Sequence, residues 1–562
     1  MKNEVIKKLR VLMDRQEADW FAAFTCDPHG SEYMSDHYRV VEHISGFSGE
    51  NGALLIGHES AFLWTDSRFF IQAAKETDPE VISLMRYGEQ GVPAFEDFLE
   101  EKIRGGECIA VNLSCTSEKT RGFFEKLCDE KKIHLTAAEG MINEIWPDRP
   151  EVCANAVRVE EDGAFGGSTS EKLEKVRALM KRRNIECLDI KALDQVMWLF
   201  NITGSDIPYN PLAYGYGRVT MDEAMIYLYE NAFTDELKFH LGKSNVLLRR
   251  YGEFDGSGTC DKELIDGLKS AKTTEQIENI RRYFLYDSAA IIRFLFQLEN
   301  EVEQGIVTER LAADLLHVER QKIAGFSGES FPTISAYGPN AAMAHYTPDR
   351  QRSAAIEKKG LYLCDSGGLY PGVTTDCTRT LAMGTLTQEE KKAYTLVAAG
   401  WAHLMGTVFR EGCCGSNLDV MARNRMWKLG MDFGHGTGHG VGAGLCVHEG
   451  PQSIRWRSAE KGDVPLKAGM LVTDEPGYYE EGAFGVRIEN TLLVTESAYE
   501  GFLCFEPLTL VPIDKRAIDM ALLWDEEVGL INDYHALVFE KMSPFFKGEI
   551  RDWLEEACAP LS

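Results

Sequence analysis

The spacing of apolar residues in the first part of the chain is that of alternating helices and strands. Residues 4–15 have the period of an amphipathic helix, whereas a buried strand is predicted at residues 20–25, which begin with the unbroken apolar run 20–24. Two more strands are predicted at residues 53–56 and 61–65, around a glycine-containing turn. Two closely spaced prolines then break the pattern, and we therefore expect a first α/β domain over residues 1–150.

The same order of elements returns in the next segment. A helix is predicted near Ser170, followed by a short strand at residues 187–190 and a second helix that ends before Gly204. A turn-rich stretch then leads into a strand at residues 224–228. This recurrence predicts a second α/β domain, related to the first, over residues 151–270.

A third segment begins with a helix-capping pattern at Thr273. A long helix with one apolar face follows it, and a second helix is predicted from Thr308. Strands and glycine-rich loops dominate the rest, with helices near residues 389–405 and 417–429. We expect a mixed α+β domain over residues 271–562, and the strongly chemical residues of the chain all lie in it.

Composition excludes several classes of protein. A chain of 562 residues exceeds what one core usually supports and fits about three or four domains. Its net charge is −28 without any Lys/Arg block, so nucleic acid and anionic membrane surfaces are not expected partners. No run approaches about 18 uninterrupted apolar residues. The fourteen cysteines contain no Cys-x-x-Cys pair, and the first residues do not resemble a signal peptide, so we expect reduced cysteines and a cytoplasmic protein.

Two aspartates mark the first candidate for chemistry. Asp365 ends an apolar strand, a glycine-rich loop at residues 367–372 reverses the chain, and Asp376 lies on the returning strand at residues 373–381. Such a hairpin can place both carboxylates close together on one face. Because two buried like charges repel, this arrangement is costly unless a cation lies between them.

Two glutamates repeat this pattern further along the chain. Glu475 follows the apolar run 470–473, a Pro-Gly turn interrupts it, and Glu489 ends a second strand. His439 lies between the two pairs of acids, in the segment 435–442, which is too rich in glycine to form a helix. Such a loop lets the backbone approach a site closely.

Four carboxylates and one imidazole form a hard, oxygen-rich ligand set. This set suits Mn²⁺ or a related divalent ion better than a thiolate-type zinc site does, although zinc itself remains an alternative. Four acids carry enough charge for two ions about 3.5 Å apart, which share a bridging hydroxide as the nucleophile. A lone acid at the end of a strand is more often a turn or cap residue than a ligand, and the glycines around His439 are also typical of a tight loop. Their shared position at the ends of apolar runs favours the metal site.

At these residues the chain resembles the pita-bread metallopeptidases, and among them the three-domain X-prolyl aminopeptidases of the cytosolic type. The order and spacing of the motifs agree throughout. The matching segments are Ala344-His345-Tyr346, Cys364-Asp365-Ser366-Gly367-Gly368, Thr374-Thr375-Asp376-Cys377-Thr378-Arg379-Thr380, His435-Gly436-Thr437-Gly438-His439-Gly440-Val441-Gly442, Val447-His448-Glu449-Gly450-Pro451, Thr473-Asp474-Glu475-Pro476-Gly477-Tyr478-Tyr479 and Gly485-Val486-Arg487-Ile488-Glu489-Asn490. The resemblance implies two creatinase-type α/β domains, followed by a C-terminal pita-bread catalytic domain.

The resemblance also implies a role for each candidate ligand. Asp365 and Asp376 would bind one metal ion, with Asp376 bridging to the second ion. His439 and Glu475 would complete the set of the second ion, and Glu489 would be the other bridge. Glu475 would also carry a proton from the attacking water to the leaving proline nitrogen. The ions would be Mn²⁺, with Zn²⁺ or Co²⁺ as alternatives.

The resemblance also implies roles around the metal ions for four further residues. His448 would stabilise the oxyanion at the substrate carbonyl. His345 would line the pocket for proline, and His435 would lie beside the reacting centre. Arg487 would hold Glu489 and the neighbouring acids by charge-assisted hydrogen bonds.

The activity implied is removal of the first residue from peptides that have proline in second position, by an enzyme that the family leads us to expect as a homodimer. A prolidase-type dipeptidase is the closest alternative, since it shares the fold and the five ligands. A methionine aminopeptidase does not need the upstream domains. From a different class, some proteins of this fold have lost the metal and act as binding modules, but these should lack several of the five ligands.

Overall fold

A six-stranded sheet forms the centre of the first domain in the computed structural model of the chain, which describes residues 2–152, 154–305, 307–349, 353–458 and 462–561. Its strands are β1 (Trp20–Phe24), β2 (Ala53–Gly57), β3 (Ala61–Thr65), β4 (Ser83–Arg86), β5 (Cys108–Val111) and β6 (His134–Ala137). Its helices are α1 (Lys2–Arg15), α2 (Val40–Ser45), α3 (Phe70–Glu76), α4 (Phe95–Lys102), α5 (Glu118–Lys131) and α6 (Glu139–Ile145).

Both faces of this sheet are covered, which explains the unbroken apolar run of its central strand. Phe21 and Ala23 pack into one hydrophobic cluster, whereas Ala22 between them packs into a second cluster on the opposite face. Successive side chains of a strand point to opposite faces, so a strand buried on both sides needs apolar residues at every position.

The second domain repeats the topology of the first. Its strands are β7 (Arg158–Val159), β8 (Cys187–Ile190), β9 (Ile202–Thr203), β10 (Gly215–Thr220), β11 (Ala224–Leu228), β12 (Val246–Arg250) and β13 (Thr259–Cys260). Its helices are α7 (Thr169–Arg183), α8 (Leu193–Phe200), α9 (Asp235–Lys243) and α10 (Lys262–Lys269). The order β12-β11-β10-β8-β13 corresponds to β4-β3-β2-β1-β5, with the same parallel and antiparallel neighbours. The recurrence read from the sequence is therefore a recurrence of fold.

The third domain contains short curved sheets surrounded by helices. Its helices are α11 (Thr274–Gln304), α12 (Glu309–Gln321), α13 (Gln388–Met405), α14 (Gly415–Trp427), α15 (Asp525–Met542) and α16 (Glu549–Ala557). Its strands are β14 (Gly328–Glu329), β15 (Ile334–Tyr337), β16 (Leu361–Ser366), β17 (Gly368–Tyr370), β18 (Val373–Thr374), β19 (Cys377–Ala382), β20 (Phe409–Arg410), β21 (Gly438–His439), β22 (Ser453–Ile454), β23 (Leu471–Asp474), β24 (Gly477–Glu480), β25 (Phe484–Arg487), β26 (Asn490–Glu496) and β27 (Phe502–Pro507).

Two interrupted hairpins of this domain carry the four acids. In the first, β16 pairs antiparallel with β19, while β17 and β18 form the tip and join a separate sheet. The returning strand expected at residues 373–381 is thus two strands, and Asp376 lies at the break between them. In the second, β23 pairs with β26, and β24 pairs with β25 at the tip. Each acid therefore lies at the end of a strand.

A buried arginine joins the C-terminal segment to these hairpins. Arg379 is 1% exposed, and its guanidinium donates to the carbonyl oxygens of Glu489 and Val511 and to the Asn490 side chain. The Tyr534 hydroxyl of α15 is a further partner, at 2.9 Å. The last part of the chain is therefore a component of the catalytic fold. No helix in the described part of the chain is both long and apolar enough to cross a membrane.

Candidate metal centre

The carboxylates and the imidazole proposed as ligands converge on one point of the third domain. The Nε2 atom of His439 lies 3.4 Å from Oδ2 of Asp376 and 3.6 Å from Oε1 of Glu475. One ligand atom from each of Asp376, His439 and Glu489 falls within 4.8 Å of the others. Asp365 lies across the β16–β19 ladder, where it pairs with Thr378. All five line one cavity, and Asp376, His439 and Glu489 are close enough together to share a metal ion.

The backbone around these residues brings the strands into close contact. The N–H of Glu489 donates to the carbonyl of Thr378 at 3.1 Å, which joins the two hairpins beside the acids. The N–H of Glu475 donates to the carbonyl of Thr437 at 2.8 Å. At Gly438 a Cβ atom would lie only 1.9 Å from the carbonyl oxygen of Thr473, so only glycine lets His439 approach the acids this closely.

The electrostatics of this cluster call for a cation. Burial, followed by the charges of neighbouring acids, raises the pKa of Asp376 and of Glu489 well above the usual carboxyl range. The Oδ1 atoms of Asp365 and Asp376 are buried and have no hydrogen-bond partner among the described residues. Buried acceptors without donors are rare in folded proteins, and divalent ions are natural partners for such oxygens. The donor set therefore fits divalent metal ions.

Arg487 contacts one of the acids expected of it, Asp365, whereas Glu489 has another partner. Its Nη2 atom donates to Oδ2 of Asp365 at 2.6 Å and its Nη1 atom donates to the Tyr479 hydroxyl at 2.6 Å. The carboxylate of Glu489 instead accepts from the Thr378 hydroxyl at 2.7 Å. The reason is that β25 ends at Arg487, so Glu489 lies beyond the strand. The alternation of side chains along one strand therefore does not place Arg487 and Glu489 on the same face. Of the expected acid contacts, the one with Asp365 is present.

A chain of hydrogen bonds continues from Arg487 to His435. The Tyr479 hydroxyl lies 2.8 Å from Nε2 of His435, and Nδ1 of His435 lies 2.7 Å from the carbonyl of Gly436. Burial and the charge of Arg487 lower the pKa of His435 to about 3. The imidazole is therefore neutral, with Nδ1–H donating to the carbonyl and Nε2 accepting from Tyr479. The sequence motif contained Tyr479, but its role became visible only here.

The other two histidines contact residues of the first domain. The His448 ring packs edge-on against His439 with ring centroids 4.2 Å apart, and its Nδ1 atom lies 2.6 Å from Oε2 of Glu32. Nδ1 of His345 lies 3.5 Å from Oε2 of Glu50. Burial alone would raise the pKa of Glu32, but the charge and hydrogen bond of His448 lower it to about 2. Glu32 is therefore a carboxylate that orients His448.

The loop that carries His345 is held by one buried carboxylate. Glu309, at the start of α12, is fully buried and accepts from the backbone N–H of Tyr337 at 2.7 Å and of Ala354 at 2.9 Å. It also accepts from the hydroxyl of Tyr346, the residue after His345, at 2.7 Å. These three bonds to one carboxylate fix the loop at both of its ends.

A cavity of about 580 Å³ unites these groups. It is lined by all nine residues singled out from the sequence, which are His345, Asp365, Asp376, His435, His439, His448, Glu475, Arg487 and Glu489. The first domain adds Glu32, Glu50, Ser67 and Arg68, and the Ser67 hydroxyl reaches the carbonyl of Gly434 at 3.2 Å. Sequence reasoning did not assign these four residues.

Comparison with known protein families divides the chain into four matched segments. Residues 278–496 match the family described as Metallopeptidase family M24, and residues 501–561 match the C-terminal region of peptidase M24. Residues 6–145 and 148–286 each match the Creatinase/Prolidase N-terminal domain.

Individual relatives are similar along nearly the whole chain. A probable Xaa-Pro aminopeptidase P of Laccaria bicolor is 36% identical over 601 residues, which cover 99% of this chain and 93% of the relative. One of Penicillium rubens is 36% identical and covers 100% of this chain and 99% of its own length. Among solved structures, the X-prolyl aminopeptidase of Caenorhabditis elegans, described as a cytosolic enzyme with a di-nuclear active site, has a TM-score of 0.94 at 33% identity, with 100% of both chains covered.

Proposed function

The chain belongs to metallopeptidase family M24, and from that premise we propose that it is an Xaa-Pro aminopeptidase, which removes the first residue from peptides with proline in second position. One observation carries the proposal. Four acids and a histidine converge on the floor of a cavity whose wall comes partly from the first domain. Relatives named probable Xaa-Pro aminopeptidase P share this whole three-domain arrangement of sequence.

We propose that five side chains hold two divalent metal ions, and that these are Mn²⁺. The ligands are Asp365, Asp376, His439, Glu475 and Glu489. Support comes from the unpartnered oxygens of Asp365 and Asp376, from the mutual repulsion of the acids and from the oxygen-rich donor set. When bound, such ions polarise the scissile carbonyl and lower the pKa of water.

Glu475 is the residue placed to move the proton. Its Oε1 atom accepts from the Thr473 hydroxyl at 3.3 Å, and its side chain keeps 19% of its surface exposed toward the cavity. A carboxylate in that position can take a proton from the attacking water and deliver it to the departing proline nitrogen. This proton is necessary because a proline nitrogen leaves as an amine.

The neighbouring side chains orient the substrate. His448, held by Glu32, faces the same space as His439 and can donate to the carbonyl oxygen as negative charge develops on it. The His345 ring packs against the Phe69 ring, with the two ring centroids 5.0 Å apart. It offers an apolar face for the proline ring of the substrate. Arg487 and neutral His435 keep the acids and Tyr479 in place.

Proline accounts for the need for a dedicated site. A bond to the proline nitrogen lies in a tertiary amide without an N–H, and the ring fixes the local backbone. A peptidase that recognises substrate through that N–H fits such a bond badly. A cavity that recognises the ring itself and the free amino terminus avoids this problem.

The test is one reaction that contains the Mn²⁺-loaded protein, an Xaa-Pro-Xaa tripeptide and an Xaa-Pro dipeptide, followed by mass spectrometry. We expect the tripeptide to lose its first residue much faster than the dipeptide is cut, and chelation of the metal to stop the reaction. Faster cutting of the dipeptide would make the protein a prolidase. If neither peptide is cut with Mn²⁺, Co²⁺ or Zn²⁺, the protein would be a binding module instead.

We also propose that the protein is a homodimer. Helix α14 exposes the large apolar side chains of Val420, Met421 and Trp427, and Leu429, two residues beyond the end of the helix, is also exposed. Val420 and Trp427 are seven residues apart and therefore share one face of the helix. Exposed apolar patches of this kind mark association sites, and identical chains usually pair through a two-fold axis.

Sedimentation velocity tests the dimer and its proposed surface. We expect the parent protein to sediment at twice the mass of one chain, and a Trp427→Glu variant to shift toward the monomer. Tyr499→Glu, at an exposed aromatic outside this face, is the control and should remain dimeric. A parent protein that sediments as a monomer at micromolar concentration would contradict the proposal.

Two further assignments follow from the same comparisons. We propose that the protein works in the cytoplasm, because the similar nematode enzyme is described as cytosolic and the thirteen cysteines described are all free. We propose domain boundaries near residues 150 and 270, which the two repeated sheets support.

A further inference from the structure

We propose that Glu449 is a positioning residue, through which a buried group of lysines at the junction of the second and third domains fixes His448 against the metal centre. The inference builds on the proposed function, because it concerns the histidine assigned to the oxyanion. It adds a part that the second domain plays in the reaction.

The contacts of the Glu449 carboxylate are ionic and buried. Oε1 of Glu449 lies 3.0 Å from Nζ of Lys272, and Oε2 lies 3.0 Å from Nζ of Lys269. The two lysine side chains are 1% exposed and the glutamate side chain is 2% exposed. Lys269 also forms an ion pair with Asp194 of α8. A continuous buried row of charges therefore runs from the second domain to the residue after His448.

The lysines lie at the junction itself. Lys269 is the last residue of α10 in the second domain, and Lys272 precedes Thr273, the cap of α11 in the third domain. The N–H of Lys272 donates to the carbonyl of Gly469 at 2.8 Å, which ties this junction to the catalytic sheets. Glu449 is thus bound by the segment 269–272, which is itself fixed to both domains.

The backbone of Glu449 is fixed to the segment that carries His439. The N–H of Glu449 donates to the carbonyl of Gly440 at 2.8 Å, and the N–H of Gly440 donates to the carbonyl of Gln452 at 3.1 Å. A Cβ atom at Gly440 would lie 2.0 Å from the carbonyl oxygen of Glu449, so the two segments touch. Any displacement of Glu449 therefore moves His448 relative to His439.

A contribution to stability alone does not explain why these ion pairs are buried. Buried ion pairs must offset the loss of hydration of each charge, and well-packed apolar residues often stabilise a protein as much. Catalysis gives a better reason, because a displacement of about 1 Å can cost about 10²-fold in rate. His448 would then be held at two points, with Glu32 on its ring and Glu449 on its backbone.

The test is a double-mutant cycle with Glu449→Gln and His448→Ala, measured on the tripeptide substrate. Glu449→Gln should lower kcat by about 10- to 100-fold and change KM by less than about threefold. In the His448→Ala background the same change should cost less than about twofold, because its effect passes through the missing imidazole. Equal losses in both backgrounds, or an unchanged kcat in folded Glu449→Gln, would overturn the proposal.

Matched variants separate positioning from folding. Asp189→Asn breaks a buried ion pair of the second domain, with Arg218, that is separate from this row of charges, and should lower the melting temperature while keeping kcat within about threefold. If Glu449→Gln does not fold, Lys272→Met removes one of the two pairs and should give a smaller loss of kcat of the same kind. A loss of kcat in Asp189→Asn as large as in the Glu449 variant would contradict positioning.

A crystal structure of Glu449→Gln gives a result that does not depend on activity. We expect the His448 ring to leave its 4.2 Å packing against His439. An unmoved ring would overturn the inference even if the parent protein cut no peptide. Parent inactivity alone would refute only the proposed function, so the two failures are distinguishable.

Discussion

An Asp376→Asn variant is expected to lose about 10³-fold or more of kcat/KM on an Xaa-Pro-Xaa tripeptide, because a neutral amide would hold the proposed divalent ions less tightly than a carboxylate does. The same change should stabilise the metal-free protein. Asp376 is buried beside Asp365 and Glu489, and the removal of one charge relieves their repulsion. Metal content by mass spectrometry and melting temperature with and without Mn²⁺ are the measurements. We expect a higher metal-free melting temperature and the loss of the increase that Mn²⁺ produces.

Asp189→Asn is the matched control for this prediction. Asp189 is also a buried aspartate, but it pairs with Arg218 in the second domain at 2.6 Å. Its neutralisation should lower the melting temperature and leave metal content and activity unchanged. A metal-free Asp376→Asn protein that is less stable than its parent would show that repulsion among the acids is not a significant cost.

The same repulsion predicts a pH dependence of the metal-free protein. The pKa values of Asp376 and Glu489 are raised in the folded state, above the value of about 4 that carboxyl groups have in unfolded chains. The folded protein therefore binds more protons, and its stability should fall as pH rises from about 4 through the raised values. Denaturant unfolding at several pH values should show this slope in the parent protein. The fall in the free energy of unfolding with rising pH should be smaller in Asp376→Asn and in the Mn²⁺-loaded parent.

A Glu475→Gln variant is expected to lose about 10²- to 10⁴-fold of kcat while KM changes little, because an amide cannot carry the proton to the leaving nitrogen. The amide oxygen can still bind a metal ion, so the increase in melting temperature with Mn²⁺ should persist. This distinguishes the variant from Asp376→Asn. Steady-state kinetics on the tripeptide and a thermal melt with Mn²⁺ are the measurements.

Glu480→Gln is the control for the proton-transfer prediction. Glu480 lies at the exposed end of β24 in the same hairpin, where it accepts from the Tyr478 hydroxyl at 2.8 Å. Its replacement should leave kcat and the response to Mn²⁺ unchanged. A Glu475→Gln enzyme with parental kcat would show that another group moves the proton.

Local sequence patterns were sufficient for much of the fold. Thr273 was expected to cap the long helix, and its hydroxyl accepts from the N–H of Gln276, whose side chain bonds back to the N–H of Thr273. The strand at residues 224–228 has the predicted bounds. These features depend on residues close together in sequence, where capping and apolar periodicity act directly.

Contacts between segments that are distant in sequence could not be predicted from such patterns. Glu32 contacts His448 across 416 positions of sequence, and Glu50 pairs with His345 from the same first domain. Neither acid lies at the end of an apolar run, so nothing in its neighbourhood marks it. For Arg487 the sequence predicted contacts with Glu489 and the neighbouring acids, but which acid it meets depends on how strands from separate hairpins are layered.

The wall that the first domain adds to the cavity has a consequence for which molecules reach the metal centre. Glu32, Glu50, Ser67 and Arg68 narrow the space above the acids, and Ser67 touches the opposite rim at Gly434. Under the proposed function, a short flexible peptide would reach the metal centre more readily than the N-terminus of a folded protein. Folded proteins that begin with Xaa-Pro would then be poor substrates, and short peptides with the same first two residues would be preferred.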